Sequence, residues 1–146
     1  MESWVPSVLL TVLFIACAVS GGCTSPPSLN PPKALLDEYV QAYNQGDVDS
    51  IYQMLLVFDT PDTHPRYTSK DEIAKRIQES RYDMGLEIAT YDIVREYAVE
   101  NYAVMTVVIT WQDPAGMQTE ETYDAGFLYF NGRWRMVNLI LPGEGY

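Results

Sequence analysis

The sequence predicts an α+β fold: three N-terminal helices packed on a four-stranded, mostly antiparallel sheet. Apolar residues recur at helical spacing as far as Met84 and alternate from Leu86 onward. Asp113-Pro114-Ala115-Gly116 and Asn131-Gly132 are turn signals between the alternating stretches, and connections that short make antiparallel hairpins. Helices in one run and strands in another give α+β order, not α/β.

Asn30 reads as the N-cap of the first helix, with Pro31 and Pro32 in a first turn whose N–H groups have no intrahelical acceptor. Leu35, Leu36, Tyr39, Val40 and Tyr43 form its apolar stripe, opposite Asp37, Glu38, Gln41 and Asn44. Gly46 ends that helix and Asp47 caps a second, short one with Val48, Ile51, Tyr52 and Leu55 inward. After a proline-bearing loop, Asp59 to Tyr67, Ser69-Lys70-Asp71-Glu72 is a capping box. It opens a third helix in which Ile73, Ile77 and Met84 share a face; Asp71 with Lys75 and Glu72 with Arg76 support its surface, and Gly85 closes it. Glu87–Tyr97, Asn101–Trp111, Gln118–Phe130 and Arg133–Leu141 then read as strands rich in Ile, Val, Thr and Tyr.

The 146 residues, 47% hydrophobic and 12% aromatic, suit one compact domain behind an N-terminal leader. Nine basic residues against twenty acidic give a net charge of −11, which repels phosphate backbones and excludes a nucleic-acid partner as an expectation. The uncharged stretch Trp4 to Val19 is short for a bilayer span and suits the apolar core of a secretory leader. Val19-Ser20-Gly21-Gly22-Cys23 follows, and here the leader resembles a prokaryotic lipoprotein signal peptide.

That resemblance implies residues 1–22 as signal peptide, Cys23 as the lipidated first residue and 23–32 as a proline-rich tether, leaving 33–146 as the domain. An uncleaved N-terminal anchor and a conventional signal peptide are the alternatives, and each exports the domain. Cys17 would leave with the leader and Cys23 would carry lipid, so no disulfide framework is expected.

Two further motifs are Tyr39-Val40-Gln41-Ala42-Tyr43-Asn44-Gln45-Gly46-Asp47 and Asn131-Gly132-Arg133-Trp134-Arg135-Met136-Val137. With them the stretch from Pro32 to Leu141 resembles the nuclear transport factor 2 superfamily of cystatin-like α+β proteins. The resemblance implies a curved, cone-shaped sheet wrapping the first helix around a cavity. It also implies uses that range from binding and assembly to isomerase, dehydratase or cyclase chemistry, and fold does not choose among them.

Tyr39, Tyr43, Asp92, Trp134 and Asn138 are the candidate pocket residues on that reading. Alternation puts Trp134, Met136 and Asn138 on one face, and Asp92 with Thr90 and Val94 on another. A desolvated Asp92 could act as a proton-transfer base, with tyrosine stabilising an oxyanion; a solvent-facing strand residue is the simpler reading of it. Tyr91, Tyr97, Tyr123 and Tyr129 are candidates for a sheet-face interface.

No catalytic residue, cofactor or metal site is assigned. His64 with Asp59 and Asp62 matches no metal-ligand spacing and reads as turn chemistry. The leading expectation is an exported, lipid-anchored domain that binds a small apolar ligand in the cone or a protein partner across the sheet. A small cofactor-free enzyme is the alternative, and a homodimer a third.

Overall fold

A computed structural model describes residues 30–56 and 69–146 of the chain. The leader, Cys23 and the loop carrying Asp59, Asp62 and His64 lie outside the described residues. The described elements run α1 (Asn30–Gln45), α2 (Val48–Met54), α3 (Lys70–Ile77) with a π-helical continuation (Gln78–Asp83), then β1 (Glu87–Val99), β2 (Tyr102–Gln112), β3 (Gln118–Phe130) and β4 (Arg133–Met136).

The helix ends follow the expected chemistry. Gly46 takes φ +68°. There its N–H reaches the Tyr43 carbonyl at 2.9 Å and the Asp47 N–H reaches Ala42 at 2.8 Å, a Schellman stop. The positive φ is what favours glycine here; a Cβ would also meet the exposed Tyr82 ring, which would have to move aside. Asp47 Oδ1 accepts the Ser50 N–H at 3.0 Å, and Ser69 Oγ accepts from Glu72 at 3.2 Å.

Met84 departs from the predicted face of the third helix. The π-helical turn advances the chain by i→i+5 bonds and so rotates the faces. Ser80 is therefore buried behind Ile77, while Met84 is exposed.

The sheet is an antiparallel meander in the order β1-β2-β3-β4. On β2 the residues Ala103, Met105, Val107, Ile109 and Trp111 face the helices and are all buried. They meet Leu36, Tyr39 and Tyr43 of α1, Ile51 of α2, Ile73 and Ile77 of α3, and Phe127 of β3 in one core.

The three-helix, four-strand architecture is as predicted, but the cone shape is not. The sheet neither curls round nor closes: β1 and β4 are its two edges, with β2 and β3 between them. The reason is the last strand, which has four residues against thirteen in β1. The predicted strand to Leu141 stops at Met136. Beyond it the chain is held to β3 by Val137 N–H to Gly126 (2.9 Å) and by paired Tyr146–Thr122 bonds (3.0 and 3.2 Å). Gly126 makes room for this, since a Cβ there would lie 2.4 Å from Val137 Cγ2.

Candidate functional site

Register decides where each candidate residue goes. Across β1 and β2, Tyr91 pairs with Ile109 and Ile93 with Val107, the buried side of β2, whereas Asp92 pairs with Val108. Asp92 therefore points away from the helices and is exposed. Bulges between Ile88 and Thr90 and between Ile93 and Arg95 interrupt simple alternation on this strand.

Tyr39 and Tyr43 do come together, with ring centroids 6.4 Å apart. Tyr43 meets Trp111 edge-on at 5.3 Å and Trp111 meets Tyr123 at 6.3 Å, making a buried aromatic row across the core. Asn138 is not part of it. Its amide donates to the Asp124 carbonyl (3.0 Å) and accepts from the Gly126 N–H (2.8 Å), fastening the C-terminal segment to β3. Trp134 packs against Tyr129 at 5.7 Å, on the rim near α1 and α2.

The hydroxyls in the row differ in their satisfaction. Tyr39 donates to the Ile140 carbonyl at 2.5 Å. The Tyr123 oxygen accepts from Trp111 Nε1 at 2.9 Å and shares its one proton between the Leu141 carbonyl and the Glu121 carboxylate. Tyr43 is fully buried, and its hydroxyl makes no hydrogen bond of good geometry among the described residues. Burial raises its pKa, against smaller opposite effects of Ser80 and Arg81. Tyr43→Phe is therefore expected to raise unfolding stability by about 1 kcal/mol, read from urea midpoints, because it removes a desolvated group with no full partner.

Two tyrosines give the alkaline limit. Tyr91 is pushed up to about 12, first by burial and then by its hydrogen bond to Asp37 and that carboxylate's charge. Tyr123 is raised as well, first by burial and then by Glu121. The folded state thus holds these protons more tightly than an unfolded chain whose tyrosines ionise near pH 10. The stability they contribute is complete below about pH 10 and is lost as pH climbs through the folded values. Tyrosinate absorbance followed beside circular dichroism should show their ionisation delayed beyond pH 10 and coupled to loss of the fold.

The outer face of the sheet, turned from the helices, is divided. Val99, Tyr102 and Leu128 are cross-strand neighbours, as are Tyr97 and Val104 in the next row. Tyr97 is 59% exposed, Tyr102 40% and Phe130 45%, so this end is an uncovered apolar surface. Toward the middle, Thr106 donates to Asp124 at 2.6 Å, and beyond it lie Asp92, Thr110 and Glu120. Of the four tyrosines picked from sequence only Tyr97 lies here. Tyr91 turns toward α1, Tyr123 is buried and Tyr129 pairs with Trp134, while Tyr102 was missed because a lone tyrosine after a turn carries no face information until register is known.

This meander with three helices on one face has known counterparts. The chain has the nuclear transport factor 2-like fold. A cystatin-like domain of unknown function from Nostoc punctiforme superposes with TM-score 0.58 at 16% identity, over 77% of this chain and 76% of that one. A nuclear transport factor 2-like protein of unknown function from Shewanella oneidensis gives 0.55 at 15%, over 74% and 93%. The SEC-C motif protein RPA3114 from Rhodopseudomonas palustris gives 0.55 at 15%, over 79% and 81%. No protein-family model matches the sequence, and no curated protein matches it. At these identities the nuclear transport factor 2-like resemblance is one of fold.

Proposed function

We propose that the protein is an exported, lipid-anchored interaction domain that binds a protein partner through the apolar end of its outer sheet face. The carrying observation is the exposed set Tyr97, Val99, Tyr102 and Phe130 on one side of a sheet whose other side is filled by core side chains. Aromatic residues of this kind supply most of the binding energy in protein interfaces, and water-facing rings are free to do so. Asp92, the acid of the enzymatic alternative, sits exposed on the same face, among Thr90, Thr110 and Val108.

Photo-crosslinking from position 97 or 102 in cells is the test. A discrete product from these positions and none from position 120, at the polar end, is the expected result. Tyr97→Lys with Tyr102→Lys should weaken the interaction at least tenfold without moving the melting curve, because both side chains are exposed. A product of twice the chain mass identifies a second copy as the partner. Equal labelling at both ends, or none, overturns the reading. For the anchor, Cys23→Ala should move the protein from the membrane to the soluble fraction and remove the lipid mass; unmodified Cys23 with residues 1–22 retained would refute it.

A further inference from the structure

A concave surface lies between α1 and α2, the helices that cover the face of the sheet opposite its outer one. Leu35, Glu38, Ala42 and Gln45 form one stripe of α1, and Asp47, the cap of α2, faces it together with Ser50 and Met54 of α2. Two clefts of about 240 and 260 Å³ run between them and share Glu38, Ser50 and Met54, so they form one groove. The α1 stripe makes it about 15 Å long. Trp134 and Arg133 close one end.

The chemistry of the lining is specific. Asp47 is committed to Ser50, whose N–H and hydroxyl it accepts at 3.0 and 2.7 Å. Those bonds lower its pKa and keep it ionised, so with Glu38 the groove carries two acids against one base, Arg133, an excess of negative charge that disfavours anionic ligands. Among the described residues the side chains of Glu38, Gln41, Gln45, Gln53 and Arg133 make no hydrogen bond or ion pair; their polar atoms are available in a row. Each glutamine both donates and accepts. Trp134 is half-buried and held by Tyr129 at an interplanar angle of 61°, a fixed apolar plate at the end of the polar walls.

We propose that this groove binds a neutral oligosaccharide. A sugar ring carries an apolar C–H face, which suits the indole, and hydroxyls that donate and accept together, which suit amide, carboxylate and guanidinium side chains at once. An extended peptide would need a free strand edge, whereas β4 beside the groove has four residues and the Leu56 N–H already donates to the Met136 carbonyl at 2.7 Å; Leu35, Ala42, Met54 and Trp134 are single apolar side chains set among polar ones. An apolar ligand would have to desolvate Glu38, Gln41, Gln45, Gln53 and Arg133, which lie between Leu35, Ala42 and Met54.

The experiment uses the purified full-length protein titrated with chitotriose and with maltotriose, followed by calorimetry in every variant and by the Trp134 indole N–H resonance where that residue is kept. Saturable shifts with at least one sugar are expected. Trp134→Ala and Glu38→Gln should each weaken binding about tenfold, the cost of one lost site contact of ordinary strength. Gln53→Ala, an exposed position, should also weaken it several-fold and guards against misfolding of the tryptophan variant. Tyr102→Lys, on the other face, should leave it unchanged. The proposal is overturned if neither sugar saturates, if binding survives both Glu38→Gln and Gln53→Ala, or if a tetraglycine peptide or a sulfated trisaccharide binds more tightly than either sugar.

Discussion

Trp111→Ala will destabilise the protein by about 3–5 kcal/mol, seen as a lower urea midpoint at unchanged m-value. The side chain is 2% exposed and stands between Tyr43 and Tyr123 in the aromatic row. Its loss removes a large apolar surface from the core and leaves a cavity that the flanking rings, fixed by α1 and β3, only partly fill. It also withdraws the Nε1 donor from the Tyr123 oxygen, which helps tie Leu141 and the C-terminal segment to the sheet. Since domains of this size are stable by about 5–15 kcal/mol, the variant should be partly unfolded at physiological temperature. Trp111→Phe should recover most of the packing and none of the hydrogen bond. A loss below about 1 kcal/mol for the alanine variant would show that the row does not bear on stability.

Asn44→Leu will cost about 2–3 kcal/mol despite being nearly conserved in volume. Asn44 Nδ2 donates to the Ile88 carbonyl at 2.9 Å and its Oδ1 accepts the Ile88 N–H at 2.8 Å. The Asn44 carbonyl in turn accepts from Arg81 Nε at 2.9 Å, and Arg81 pairs with Glu87 at 2.7 Å. One residue at the end of α1 therefore joins the π-helical turn to the start of β1. With leucine there, a donor and an acceptor on the 3% exposed Ile88 lose their partners. Amide hydrogen exchange at Ile88 should accelerate in step with the loss of stability. Asn44→Asp, which keeps the acceptor and loses the donor, should cost less.

The two variants also measure how far the sequence could be read. Trp111 fell on an alternating strand and its burial follows from that pattern alone. Asn44 fell on the polar side of an amphipathic helix, where nothing local signals a partner forty-four positions away. Its place in Asn44-Gln45-Gly46-Asp47 marked the helix end and its resemblance to a known family, not the bond it makes. Asp92 and Tyr102 show the same limit on the sheet: two bulges in β1 and the β1–β2 register decide which parity faces the helices, and register is set by pairing, not by composition.

What the sequence determined by itself was therefore periodic and local. The switch from a 3.6-residue to a two-residue repeat, the stop at Gly46, the caps at Asp47 and Ser69 and the turns at Asp113 and Asn131 all depend on neighbours a few residues apart. The tertiary structure alone decided the open sheet with its four-residue last strand, the exposed apolar end of its outer face and the groove between α1 and α2. Each of these depends on which distant residues meet, and that is fixed only when strands pair and helices pack.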